Sequence, residues 1–175
     1  MKRAVFLDRD GVINQTQLVD GVPRPPVSLA DIKILEGVVE AIQLLKSHKF
    51  VPVVVTNQPD VARGTTTKAK IEAINSFIGG ATHIKYFYTC FHDDADECDC
   101  RKPAPGLIFR AADDLELDIA NSFMVGDRWR DISAGQTAGL ESFFIDHSYS
   151  ERAPQPPFIR VSSLLEAVEI IIRKE

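Results

Sequence analysis

The sequence has little of what marks a secreted, membrane-bound or nucleic-acid-coating protein. It holds only three cysteines in 175 residues. Three thiols cannot all pair within one chain, which argues against a disulfide scaffold. No apolar run approaches the length needed to cross a bilayer. The N-terminal "MKRAVFLDRDG" starts basic, but its apolar stretch is too short for a signal peptide. The expected location is the cytoplasm. There is no basic surplus: 20 Lys and Arg stand against 25 Asp and Glu, a formal charge of −5. That disfavours a broad nucleic-acid face but leaves room for a local basic pocket. There are no repeats. The proline-bearing stretches "DGVPRPP" (20–26) and "ERAPQPP" (151–157) separate no regions of different composition, so ordered loops or turns are expected there.

What is present is an alternation of short apolar runs and helical patterns. Strand character falls at 4–8, 51–57, 84–90, 122–127, 141–146 and 158–161. Helical spacing falls at 36–49, at 67–78 with Thr67 as cap, at 105–117, at 129–138 before Gly139, and after Ser162 as the last cap. Such alternation predicts an α/β fold with a parallel sheet between two helical layers. The expectation is one domain over 1–175. No segment suffices for a separate cap domain, so loops must shape any site.

Polar residues collect just past the strands. Asp8 and Asp10 follow the first, Thr56 and Asn57 end the second, Arg101 and Lys102 come after the third, and Asp127 follows the fourth with Asp131 one turn on. In an open parallel sheet these positions converge on one crevice. The residue types suit phosphoryl transfer. Asp8, Asp10 and Asp127 are hard oxygen ligands for Mg²⁺, and carboxylates so close call for a cation. One aspartate can attack phosphorus and another can move the proton. Thr56 and Lys102 would hold phosphoryl oxygens. Taken singly, the acidic pair reads as a turn or cap, and Asp131 as a complement to a helix N-terminus.

All three cysteines lie in "CFHDDADECDC" (90–100). The order Cys90-x-His92, five residues, Cys98-x-Cys100 offers four ligands for tetrahedral Zn²⁺. A redox pair or free thiols is the alternative, although a Cys-x-Cys disulfide is strained and leaves His92 without a role. Arg63 and Arg128 read as second-phosphate contacts or as solvated charge. Trp129 reads as a lining residue or as packing over a helix start. His48, His83 and His147 carry no motif and read as surface or core residues.

"FLDRDGVIN", "VVVTNQ", "CRKPAPG" and "MVGDRWRD" together resemble the four signatures of the haloacid dehalogenase (HAD) superfamily of phosphatases. The similarity is closest to its histidinol-phosphate and heptose-bisphosphate phosphatase subgroup. The resemblance implies a three-layer, Rossmann-like HAD fold. It implies Asp8 as nucleophile and Asp10 as acid and base, with Mg²⁺ on Asp8, the Asp10 carbonyl and Asp127. It also implies Thr56 and Lys102 on the transferred phosphate and Arg101 on the substrate; Asn57, Arg63 and Arg128 are expected as further substrate contacts. Asp131 would be structural. The subgroup's zinc loop supports Zn²⁺ on Cys90, His92, Cys98 and Cys100.

Specificity signals conflict. The five-residue spacer resembles the histidinol-phosphate enzymes, whereas "VARG" (61–64) resembles the heptose enzymes. Residues 15–22 match the latter poorly. The expected activity is 7-phosphate hydrolysis of D-glycero-D-manno-heptose 1,7-bisphosphate, with histidinol phosphate as the alternative. The expected protein is a monomer that acts on a small phosphorylated metabolite and binds neither nucleic acid nor membrane. An idle zinc-stabilised binding module is the reading from another class. It would have lost the nucleophile or the lysine, and both are present. A nucleic-acid 3′-phosphatase would fit an open site but not the acidic balance.

Overall fold

The computed structural model describes residues 1–174. Six strands form one parallel sheet: β1 Arg3–Leu7, β4 Phe50–Asn57, β5 Tyr86–Cys90, β6 Phe123–Gly126, β7 Glu141–Ile145 and β8 Ile159–Val161. Their spatial order is β5-β4-β1-β6-β7-β8. The first strand is central, and its side chains alternate between two cores. Val5 and Leu7 face α1 (Val38–Ser47), α2 (Lys68–Thr82) and α5 (Leu164–Ile172), while Ala4 and Phe6 face α3 (Gly106–Leu115) and α4 (Trp129–Thr137). Val54 against Val53 and Val55 repeats the alternation on β4. Continuous β-branched runs such as "VPVVV" exist because both faces are covered. The three layers match the sequence expectation.

The chain leaves β1 toward β4 on one side and later crosses to β6 on the other. The order therefore reverses at β1, and a crevice opens at its carboxyl end.

Three local expectations need correction. First, residues 17–24 are not merely loop. They form a hairpin, β2 Gln17–Val19 against β3 Val22–Arg24, around Asp20 and Gly21 at φ 52 and 75. Two positive-φ residues make the turn whose twist suits a two-residue hairpin, and Asp-Gly favours it. Pro23 and Pro25 hide the signal, yet proline is tolerated in so short an edge strand. Second, α2 runs past Gly79 and Gly80 to Thr82. Gly79 stays helical and lets the Ile84 carbonyl approach closely, since a side chain there would press on it; His83 in the left-handed region then ends the helix. Third, the last helix is capped by Ser163, which accepts from the Glu166 N–H, while Ser162 donates its N–H and hydroxyl back to the Glu166 carboxylate. This reciprocal pair is a capping box shifted by one residue.

Candidate active site

Asp8 leaves the end of β1 with its N–H still bonded to the Val125 carbonyl at 3.0 Å. Its side chain meets Lys102, whose Nζ donates to Asp8 Oδ1 and to the Val55 carbonyl, each at 2.7 Å. Asp131 Oδ1 lies 2.6 Å from the same Nζ. All three ammonium protons thus have acceptors, and Lys102 is only 2% exposed. Burial would strip its proton, but Asp131 and Asp8 outweigh that and raise its pKa. Asn57 fixes the backbone here. Its amide donates to the Lys102 carbonyl and accepts from the Lys102 N–H, both at 3.0 Å. Asn57 therefore positions the lysine as well as lining the pocket.

Asp127 follows β6, and Asp131 sits in the first turn of α4. Asp131 Oδ2 accepts from the N–H groups of Asp127 (3.2 Å) and Arg128 (3.0 Å). Its helix-terminus role was legible; its salt bridge to Lys102 was not. Carboxylate oxygens of Asp8, Asp127 and Asp131 gather within 4.8 Å of one another. Burial pushes the Asp8 carboxyl up to about 7 against the pull of Lys102. Burial, then Asp8 and Asp131, push Asp127 well up. Asp127 Oδ1 is buried without a hydrogen-bond partner. A buried, unpaired carboxylate oxygen beside a second carboxylate fits a hard divalent cation of the Mg²⁺ type.

Asp10 is held elsewhere. Its carboxylate accepts from Arg9 Nη2 at 3.0 Å, Asn14 Nδ2 at 2.9 Å and Gln58 Nε2 at 2.8 Å. Arg9 is fully buried, and its other arm reaches Asn75 of α2 at 2.9 Å. Gln58 also donates to Thr56 Oγ1 at 2.9 Å. Gly11 turns the chain at φ 89, and a side chain there would run into the Asp127 carboxylate.

A cavity of about 290 Å³ opens above these groups, with Pro23 and Arg24 of the hairpin on one wall. Three arginines expected at the substrate line it, each tied to an acid. Arg63 grips Asp93 with two bonds of 2.7 Å, Arg101 donates to Asp94 at 2.8 Å, and Arg128 pairs with Glu151 at 3.0 Å. Arg130 joins them, 3.1 Å from Asp94. Arg24, Arg130, Arg9 and Tyr149 are site residues that the sequence reading missed. The Asp-Gly turn and the basic first turn of α4 were the available signals for Arg24 and Arg130. Tyr149 and His147, which meets the Gly11 carbonyl at 2.8 Å, had none.

The cysteine loop begins where β5 ends. Cys90, Cys98 and Cys100 have free thiols. Their sulfurs stand 3.0, 3.6 and 3.7 Å apart, and His92 Nδ1 lies 3.3 Å from Cys100 Sγ and 3.6 Å from Cys90 Sγ. A tetrahedron with Zn–S bonds of about 2.3 Å has S···S edges near 3.8 Å. Four converging soft donors fit a closed zinc site, whereas a disulfide would use two sulfurs and strand the third. The acidic spacer has its own job: Asp93 and Asp94 are the residues that hold Arg63, Arg101 and Arg130.

A family model described as HAD-hydrolase-like matches residues 99–167. The D-glycero-β-D-manno-heptose-1,7-bisphosphate 7-phosphatase of Vibrio cholerae serotype O1 is 37% identical over 151 residues, covering 79% of this chain and 78% of that protein. The enzyme of the same name from Escherichia coli K12 is 36% identical over 150 residues, covering 78% and 75%. The D,D-heptose 1,7-bisphosphate phosphatase of B. bronchiseptica, solved with magnesium and phosphate, superposes with a TM-score of 0.86 at 27% identity over 99% of both chains. No helix among the described residues is long and apolar enough to cross a membrane. Fold, four-segment crevice and relatives agree: the chain belongs to the HAD superfamily, in its heptose-bisphosphate phosphatase subgroup.

Proposed function

We propose that residues 1–175 form one catalytic domain, a Mg²⁺-dependent phosphomonoesterase that removes the 7-phosphate of D-glycero-D-manno-heptose 1,7-bisphosphate. The observation that carries the chemistry is the Asp8–Lys102 pair beside Asp127, whose Oδ1 has no partner. The substrate comes from the relatives' names. The cavity's arginines suit a substrate with two phosphates.

Asp8 and Asp127, with the Asp10 carbonyl, would hold Mg²⁺, which neutralises charge on the phosphoryl group as that charge develops. Lys102 occupies Asp8 Oδ1, leaving Oδ2 to attack. Oδ2 forms a bond to phosphorus, and the P–O bond to the sugar breaks. Asp10 gives its proton to the departing sugar oxygen. The resulting aspartyl-phosphate is then attacked by water, Asp10 takes a proton from that water, and inorganic phosphate leaves with Asp8 restored. Thr56 and Lys102 face the transferred phosphoryl oxygens. Arg63, Arg101, Arg128 and Asn57 line the pocket around the sugar and its second phosphate. Cys90, His92, Cys98 and Cys100 hold Zn²⁺ and brace the loop that ends at Arg101. The protein acts as a cytoplasmic monomer without nucleic-acid or membrane partners.

The test is a panel of heptose 1,7-bisphosphate, heptose monophosphates and histidinol phosphate compared by kcat/KM, with Asp8→Asn as control. Heptose bisphosphate should lead, and Asp8→Asn should be folded and inactive. Full turnover by Asp8→Asn would sink the mechanism, and a lead for histidinol phosphate would sink the substrate assignment.

A further inference from the structure

Tyr149 lies in the connection after β7, outside every segment that carries the chemistry. Its hydroxyl donates to Asp127 Oδ2 at 2.7 Å. A phenol has one proton, and here it goes to a carboxylate. The Thr16 hydroxyl, 3.3 Å from the same phenol oxygen, is then left as donor to it. The ring is steadied by His147 at a centroid distance of 5.3 Å. His147 in turn meets the Gly11 carbonyl. Next in the chain, the Ser150 N–H donates to the Gly21 carbonyl at 3.0 Å, at the turn of the hairpin. One short stretch therefore touches the turn after the nucleophile, the hairpin and the candidate metal ligand.

The effect on Asp127 is specific. One oxygen accepts from Tyr149, while the other, Oδ1, is buried and has no partner. A carboxylate oxygen of Asp8 lies within 4.8 Å of one of Asp127. Gly11 closes the third side, since a side chain there would collide with both Oδ2 and the tyrosine oxygen. A carboxylate can bind a cation through either oxygen or both. The geometry points to Tyr149 as a positioning residue that captures Oδ2 and presents Oδ1 to the cation as a single-oxygen ligand. This rests on the phosphatase reading above, in which Asp127 holds Mg²⁺. Hydrogen-bond partners of this kind orient a metal ligand, and their loss weakens metal binding by roughly 10- to 100-fold. Without the phenol proton, Asp127 can rotate, and Oδ2 becomes a second unpaired oxygen in a buried site.

The experiment is Mg²⁺ binding to chelator-stripped protein by isothermal titration calorimetry, for wild type, Tyr149→Phe and Asp127→Asn. Turnover against Mg²⁺ and against substrate is followed separately. Tyr149→Phe should raise the Mg²⁺ Kd about 10-fold, leave substrate KM at saturating Mg²⁺ near wild type, and recover most of its kcat there. Asp127→Asn should abolish binding. Wild-type Mg²⁺ affinity in Tyr149→Phe overturns the inference and leaves the phosphatase reading standing. Wild-type protein that takes up no Mg²⁺ overturns both. Should Tyr149→Phe fold poorly, Thr16→Val reads the same contact from its other side. It should weaken Mg²⁺ binding by a smaller factor, and unchanged affinity there counts against the inference.

Discussion

Lys102 and Asp131 form a salt bridge of 2.6 Å at the floor of the site, with side chains 2% and 3% exposed. The pair joins the end of the cysteine loop to the first turn of α4. Removing one member of such a buried pair strands the other, which typically costs about 3–5 kcal/mol. Asp131→Asn keeps the helix-terminal acceptor but withdraws the charge. Since Lys102 retains Asp8 and Val55, the loss expected is at the low end, about 3 kcal/mol, read by urea unfolding. Turnover should fall as well, because the ammonium loses one of its three anchors. Unchanged stability would mean that the pair is not formed in solution.

Lys102 pairs with Asp8 and Asp131, so within the cluster it is the charge of Asp127 that calls for a further cation. Asp127→Asn removes one charge from the cluster, so in chelator this variant should melt above wild type by a few degrees. Added Mg²⁺ should raise the wild-type melting temperature and leave the variant unmoved. Differential scanning calorimetry with and without Mg²⁺ checks both. A variant less stable than wild type in chelator would show that the cluster is not strained.

Purified protein should contain about one zinc per chain, as four ligands in a closed site imply. Cys98→Ser should lower that content and the melting temperature together. Because Asp93 and Asp94 hang from the same loop, KM should rise more than kcat falls. Elemental analysis finding no zinc, with Cys98 freely alkylated, would contradict the site.

Asp94 links Arg101 to Arg130. The bridge is largely exposed on the acid's side, so each pair contributes about 0.2–1 kcal/mol. Asp94→Asn should therefore raise KM for a bisphosphate by about 1.4- to fivefold, with KM for a monophosphate nearly unchanged. Equal effects on the two substrates would remove the arginine pair from recognition of the second phosphate.

The sequence made much of this molecule readable, for physical reasons. Strands buried on both faces read as continuous apolar runs, so β1, β4, β6 and β7 were found with only their ends adjusted. Asp8, Lys102 and Asp127 could be expected in one crevice because a parallel sheet brings its strand ends together, and the structure gathers them there. The hairpin at 17–24 was missed because three-residue strands containing proline carry almost no periodicity. Tyr149 and Arg9 were missed because they depend on contacts far apart in sequence, Tyr149 to Asp127 and Thr16 and Arg9 to Asn75, that no local pattern encodes. Arg63 and Arg101 line the pocket, as does Asp94 of the acidic spacer, but the pairing of these arginines with Asp93 and Asp94 was not foreseen, since side-chain pairing across a loop leaves no mark in local spacing.

Both ends of the cysteine loop meet at one residue. Cys90 pairs with Asn57 in the sheet, and Lys102 is clamped by the Asn57 side chain. The excursion between them starts and finishes at a common post, like a bead threaded on a closed ring. The Lys102 ammonium beside Asp8 is therefore anchored from Asn57 and not only through the spacer. The spacer's acids, through Arg63, Arg101 and Arg130, then form the mouth of the pocket, while the residues beneath it are held from the sheet.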